Sequence, residues 1–248
     1  GVGGGVVGDL SGFAAAVYQR GVRHVQVPTT LVSQVDSAYG GKTGVDLPEG
    51  KNYAGAFHQP SAVIVDRDTL RTLPPEELAA GYAEVVKTAL IAGGQLWARV
   101  RGGAAPDDDD VVLGCIRTKL AVVAEDERDS GRRQVLNLGH TIGHAIEAAT
   151  DYRRYRHGEA IAIGLLAALR LSGRDALRAE VAELLAAHGL PDHFEGAGPE
   201  QVAELVGRDK KRSGGRVPFV LVQSPGDVTH GHELPDADVL AAIRELAA

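Results

Sequence analysis

His140 and His144 lie four residues apart in Leu136-Asn137-Leu138-Gly139-His140-Thr141-Ile142-Gly143-His144-Ala145-Ile146-Glu147. On a helix that spacing stacks them one turn apart on a single face. Gly139 and Gly143 each precede one of them, so something bulky is expected to approach this helix closely. A third histidine follows in His157-Gly158-Glu159, where another apolar helical run begins. Three imidazoles this close in sequence read as metal ligands or as acid–base groups. A pair alone reads more readily as two ordinary half-buried helix histidines, so the decision falls to their company.

That company is ionic and phased to the helix. In Gly81-Tyr82-Ala83-Glu84-Val85-Val86-Lys87-Thr88, Glu84 and Lys87 share a helix face, while Leu78, Tyr82, Val85 and Ala89 follow the spacing of a core-facing stripe. Such a Glu–Lys pair is ordinarily solvated; the alanine, valine and leucine around it predict a buried one. Glu84, His140 and His157 together offer one carboxylate and two neutral imidazoles, a set suited to a divalent cation such as zinc with positions open for substrate oxygens. No glutamate directly follows His140, so this is not the metalloprotease pattern. Of 26 cationic side chains only six are lysine, at 42, 51, 87, 119, 210 and 211. A lysine in an arginine-rich chain marks a place for a compact ammonium. Lys42 follows a glycine pair and Lys51 precedes Asn52, both in glycine-flanked segments that suit anion binding or, more plainly, two surface turns. Lysines and Arg133 around a metal imply a substrate with more than one negative charge.

The elements that position these residues follow from pattern. The chain opens on a glycine loop, Gly1-Val2-Gly3-Gly4-Gly5-Val6-Val7-Gly8-Asp9, with Asp9 expected to cap a helix over about 10–20. Glycine loops at helix starts suit phosphate or dinucleotide, though this one lacks the spaced dinucleotide fingerprint. With almost no strand before it, the start reads as a cut through the middle of an α/β domain. Strands are expected over 24–27 and 62–66, with a helix opened by Pro28-Thr29-Thr30 between them. From about residue 68 the chain turns helical: a helix start at Thr72-Leu73-Pro74-Pro75-Glu76-Glu77, a helix behind the solvated 107–110 acidic run, amphipathic helices over 159–172 and 175–188, and a last one from about Asp236. Asp209-Lys210-Lys211 is expected in a polar loop before a strand over 217–222. The predicted fold is an α/β nucleotide-binding part, truncated at its front, over 1–67, followed by an all-α, or mainly helical, metal- and substrate-binding domain over 68–248.

Bulk properties remove other classes. A 44% hydrophobic, 24% charged chain of net charge −7 has no basic field for nucleic acid or anionic membrane. The single cysteine, Cys115, excludes an internal disulfide framework and suits a reducing cytoplasm.

The stretches GGGVVGDLSGF, VPTTLVSQVDSAYGGKTGV, GKNYAGAFHQP, TLPPEELAAGYAEVVK, LNLGHTIGHAIEA and HGEAIAIG resemble the 3-dehydroquinate synthase family of sugar-phosphate cyclases, from the first residue to at least residue 172, with weaker support through 209–211. The resemblance implies bound NAD, one divalent metal (zinc or cobalt), and an active site between an α/β and a helical domain. It implies conversion of the phosphorylated sugar acid DAHP to 3-dehydroquinate and phosphate by transient oxidation, phosphate elimination, reduction and intramolecular aldol closure, in the shikimate pathway. Residue by residue, Glu84, His140 and His157 match metal ligands and His144 a non-ligand histidine that moves protons or supports the phosphate. Lys42, Asn52, Lys119, Arg133, Asn137 and one of Lys210 and Lys211 match groups for phosphate and carboxylate, and Asp36 and Lys87 match contacts to ring hydroxyls. Gly4, Gly5, Val6, Asp9, Thr29, Thr30 and Lys51 match NAD contacts, and the cofactor site also takes in Asp36 and Lys42. Arg20 matches an arginine reaching a neighbouring subunit, which implies a homodimer. Asp129 stands where members usually carry glutamate. The rival readings are a sibling cyclase acting on a sedoheptulose or hexose phosphate, a metal-dependent polyol dehydrogenase that releases NADH, and an inactive truncated remnant.

Overall fold

The structure is a computed structural model that describes residues 1–47, 50–212 and 217–248, with side chains for 1–47, 53–207 and 217–248. Its contacts divide the chain into two compact units, Gly1–Gly81 with Ala105–Arg133, and Tyr82–Ala104 with Gln134–Ala248.

In the first unit, β1 (Val2–Gly3) leads through Gly4 directly into α1 (Gly5–Val17), and β2 (Val25–Pro28) lies beside β1 in parallel, Val2 opposite Val27. Gln26 of β2 is buried and its Nε2 donates to the carbonyl of Gly8 at 2.9 Å, tying strand to helix where a buried amide must find a partner. Thr30 and Ser33 exchange side-chain and backbone hydrogen bonds at the start of the next helical segment, which tightens into a π-helical turn over Ser33–Ser37. An antiparallel pair follows, β3 (Lys42–Leu47) with β4 (Gly50–Phe57), packed on α1. The three-stranded parallel sheet is completed in the order β1-β2-β5 by β5 (Ala62–Val63). Buried Gln34 binds that region together, its Nε2 donating to the carbonyls of Pro28 and Asp66 and to Thr69 Oγ1.

α2 (Pro75–Ala92) runs from the first unit into the second, and α3 (Gly94–Arg101) follows. The chain then returns to the first unit with α4 (Asp109–Glu125), capped by Asp108 and packed on the π-helical turn. The expected boundary at residue 67 therefore lies inside the first unit, which runs on to Gly81 and takes in α4 as well.

The rest of the second unit is α5 (His140–Ala149), α6 (His157–Leu171), α7 (Asp175–Ala186), α8 (Pro199–Arg212), the hairpin β6 (Phe219–Ser224) and β7 (Asp227–His232), and α9 (Asp236–Arg244). α6 is buried on nearly every face, with α5, α7, α9 and β6 packed on it. The hairpin corrects the all-α expectation: Phe219, Val220, Leu221 and Val222 are all buried, and Pro225-Gly226, with Gly226 at φ +92°, forms the turn between the strands. The Asp209-Lys210-Lys211 stretch is helical backbone at the end of α8 and not loop. Asp9 lies inside α1, whose N-cap is Gly4, so it does not cap the helix; the glycines open the helix earlier than the capping pattern suggests. No helix among the described residues is long and apolar enough to cross a membrane.

Candidate metal centre

Glycine decides how closely α5 and α6 pack. Gly139, the N-cap of α5, has φ +78°, and a Cβ there would sit 2.9 Å from the backbone nitrogen of Leu165. A Cβ on Gly143 would meet Ile161 Cδ1 at 2.9 Å, and one on Gly164 would lie 2.0 Å from the carbonyl oxygen of Gly139. The two backbones therefore touch. The bulky neighbour expected beside Gly139 and Gly143 is α6 itself, because bare backbone on both helices gains more contact than any side chain placed between them would allow.

This crossing brings the first residue of α6, His157, beside the first residue of α5, His140, and its neighbour one turn on, His144. Ring centroids are 5.1 Å apart for His140 and His144, 5.4 Å for His140 and His157, and 5.8 Å for His144 and His157. One nitrogen from each lies within 4.8 Å of the others. Glu84 enters from α2, with Oε1 3.6 Å from His140 Nε2 and 3.3 Å from His157 Nε2. Lys87, one turn along α2, places Nζ 2.5 Å from Glu84 Oε2, and both side chains are buried. The pair expected to be buried is buried.

Each imidazole that faces Glu84 is tied on its far side. His140 Nδ1 is 3.1 Å from the carbonyl of Leu138, and His157 Nδ1 is 3.3 Å from Glu147 Oε1. Burial, then the charge of Lys87, pushes the His140 imidazolium down to about 3, so this ring is neutral in ordinary buffers. Burial also opposes charge on His157, but the carboxylates of Glu147 and Glu84 outweigh it and raise the group to about 9. Burial would raise Glu84, yet Lys87 and the two histidines hold it well below the usual carboxylate range. Neither Glu84 oxygen has a well-aligned hydrogen bond despite being buried. An ionised carboxylate short of aligned donors, facing imidazole nitrogens, fits a divalent cation.

The remaining predicted residues sort by unit. Asn137 closes a 3-10 turn (Arg132–Asn137) two residues before the N-cap of α5, and is exposed. In the first unit, Lys42 pairs with Asp129 and Lys119 of α4 pairs with Asp36 of the π-helical turn. Arg133 is buried, donating to the carbonyls of Gly40 (2.8 Å) and Glu127 (2.5 Å). It thereby fixes the Gly40-Gly41 turn, both residues at positive φ, that presents Lys42 at the start of β3. Arg133→Lys cannot span two carbonyls; it is expected to cost about 1–3 kcal/mol, read as a lower urea midpoint.

Gly4, Gly5 and Val6 form the N-terminus of α1 just after β1, and Thr29 and Thr30 follow β2, with the Thr29 amide donating to the carbonyl of Gly3 at 3.0 Å. Both segments lie at the carboxyl ends of adjacent parallel strands, the usual place for a nucleotide in an α/β sheet. Asp9 is pushed up to about 6 by burial and by Asp46 and Asp36. Arg20 is exposed, in the left-handed region at φ +68°. The side chains of Lys51, Asn52, Lys210 and Lys211 lie outside the described residues. Sequence reasoning assigned no role to Glu147; its position seven residues after His140, on the same helix face, was the available signal.

A family model described as the 3-dehydroquinate synthase N-terminal region matches residues 1–80, and one described as the C-terminal region matches residues 81–212. The 3-dehydroquinate synthase of Halorhodospira halophila is 48% identical over 250 residues, which cover 95% of this chain and 70% of that protein. Curated relatives of that name are matched over 64% to 71% of their length. Among solved structures, a 2-epi-5-epi-valiolone synthase from Streptomyces hygroscopicus subsp. jinggangensis, with NAD+ and Zn2+ bound, superposes with a TM-score of 0.89 at 27% identity, covering 99% of this chain and 72% of that one. A 2-deoxy-scyllo-inosose synthase complexed with carbaglucose-6-phosphate, NAD+ and Co2+ gives 0.86 at 28% identity, covering 98% and 72%.

Proposed function

The chain belongs to the 3-dehydroquinate synthase family, and on that premise we propose that it converts DAHP to 3-dehydroquinate and phosphate, with NAD and one divalent cation, zinc or cobalt, as resident cofactors. The observation that carries the reading is the convergence of Glu84, His140 and His157 from three helices. When bound, NAD supplies a reversible hydride acceptor and the cation supplies Lewis acidity toward a substrate hydroxyl.

The protein's own residues then divide the work. Glu84, His140 and His157 would hold the cation, and His144, exposed beside them, moves a proton or supports the phosphate. Lys42 and Lys119 receive the phosphate and carboxylate of the substrate, each exchanging an aspartate partner for a substrate anion. Arg133 shapes the turn that presents Lys42, and Asn137, Asp36 and Lys87 orient substrate oxygens. Asn52 and the 210–211 lysines join the anion-binding set, and Lys51 the NAD contacts, on the sequence resemblance alone. The first amides of α1, at Gly5 and Val6, with Gly4, Asp9, Thr29 and Thr30, receive NAD, a helix N-terminus being suited to its pyrophosphate. We assign the chain to the cytoplasm, where its one thiol, buried Cys115, stays reduced, and to a homodimer in which exposed Arg20 reaches the neighbouring site.

Metal uptake carries a proton signature. His157 is held protonated up to about pH 9 by Glu147 and Glu84, and it would have to give up a proton to serve as a ligand. Zinc affinity is therefore expected to rise roughly tenfold per pH unit between 7 and 9 and to level off above, with about one proton released per zinc at neutral pH. Calorimetry in buffers of different ionisation enthalpy measures the release. The same raised value stabilises the metal-free fold fully below about 6.5, the ordinary histidine value, and this contribution is lost as pH rises through about 9.

Phosphate release from DAHP, assayed with and without NAD and after chelation, tests the function. Dependence on both cofactors is expected. Turnover of sedoheptulose 7-phosphate in place of DAHP would transfer the site to a sibling cyclase, and no turnover with both cofactors present would remove the assignment.

A further inference from the structure

We propose that Glu147 is a positioning residue of the metal centre: its buried carboxylate holds His157 by Nδ1, aims Nε2 at the cation, and adds a negative charge beside the ligand set. This rests on the metal reading above.

His157 needs such a partner because of where it stands. It is the first residue of α6, with Arg156 as N-cap, and its side chain is 36% exposed. No preceding helical turn packs its ring. His140, which likewise starts a helix, has its far nitrogen against the backbone carbonyl of Leu138, a fixed acceptor within the same segment. His157 instead meets Glu147 of the neighbouring helix, Nδ1 to Oε1 at 3.3 Å. Glu147 lies seven residues after His140 and three after His144 on α5, so one helix face carries two of the imidazoles and the carboxylate that orients the third. The carboxylate is 2% exposed, and burying it is favourable only beside charge or donors.

Charge gives a second, independent reason. Both His140 and His157 occupy the first turn of a helix, where partial positive charge from unpaired amides opposes a cation. Lys87 adds another positive charge against Glu84. Glu84 by itself offsets only Lys87, and Glu147 supplies the further negative charge that lets a divalent ion sit there. An anionic acceptor on the far nitrogen also makes the imidazole a stronger donor.

The test compares Glu147→Gln and Glu147→Ala with the unaltered chain, reading Zn2+ affinity by competition with a chromophoric chelator and the visible absorption of the Co2+-loaded protein. Glu147→Gln keeps an oxygen to accept from Nδ1 and loses only the charge. Glu147→Ala is expected to weaken zinc about 10- to 100-fold and to shift the cobalt bands, with Glu147→Gln losing less. Both variants holding zinc as tightly as the unaltered chain, with unshifted bands, would overturn the proposal. If Glu147→Ala does not fold, Glu147→Gln decides alone: weaker zinc binding supports the role and unchanged binding removes it. Failure of the unaltered chain to bind zinc would sink the metal reading, and this inference with it, which is a different result from tight binding by all three proteins.

Discussion

His157→Ala is expected to fold and to lose its metal on gel filtration, whereas His144→Ala keeps the metal and loses turnover by about 10²- to 10⁴-fold. The contrast follows from position. His157 Nε2 faces the buried Glu84 at 3.3 Å, so its loss leaves that carboxylate and His140 as the only members of the proposed ligand set. His144 sits one turn beyond His140, exposed, with its ring edge-on to that neighbour at 5.1 Å. A ring placed there reaches substrate and solvent more readily than it reaches Glu84. Metal content by atomic emission and phosphate release on the same samples separate the two roles. Normal metal content in both variants would show that the assignment of ligands is wrong, and loss of metal from both would make His144 a ligand.

Gly164→Ala is expected to destabilise the chain by about 3 kcal/mol or more, the upper end of the cost of overpacking a well-filled contact. The added methyl would start 2.0 Å from the carbonyl oxygen of Gly139, and that atom is backbone, which has no rotamer to yield. Relief requires α6 to move away from α5. Since His157 rides on α6 and His140 on α5, the same shift separates the ligands, so zinc affinity should fall together with the thermal midpoint. Gly173→Ala is the control, because open space surrounds its Cβ position although its φ of +65° adds backbone strain; it should cost stability and leave zinc affinity intact. A Gly164→Ala protein with unchanged midpoint and zinc affinity would mean that the helix contact is not what sets the site.

Much of this centre could be read before any coordinates. The four-residue spacing of His140 and His144 requires one face of one helix, and His157 begins the next apolar helical run, as the structure has it. Glu84 was legible for a different reason: alanine, valine and leucine surround it and predict a helix buried on every side there, and Ala83, Val85, Val86, Ala89 and Leu90 are all buried with it. The proline-carboxylate start near residue 75 and the helix from Asp236 fall where local chemistry places them.

Other features were illegible because they depend on what arrives from far along the chain. Glycine at 139 and 143 announced close approach but could not name the visitor, which is α6 with its own Gly164. Asp9 resembles a cap, yet Gly4 opens α1 a turn earlier. Arg133 reads as a free cation for a substrate anion, and its guanidinium is held by two carbonyls, one of them at Gly40. Nothing local distinguishes an arginine that meets solvent from one that meets backbone.

The sequence by itself determined the chemical kinds present and their phase within each helix: which imidazoles share a face, and that Glu84 shares one with Lys87. Side-chain direction within a helix follows from a fixed rotation per residue, so no long-range information is needed. The tertiary structure alone decided which nitrogen of each ring faces Glu84, that Glu147 stands behind His157, and that α4 folds back onto the first unit. Those outcomes depend on how closely two backbones can approach, and only packing of the whole fold sets that distance.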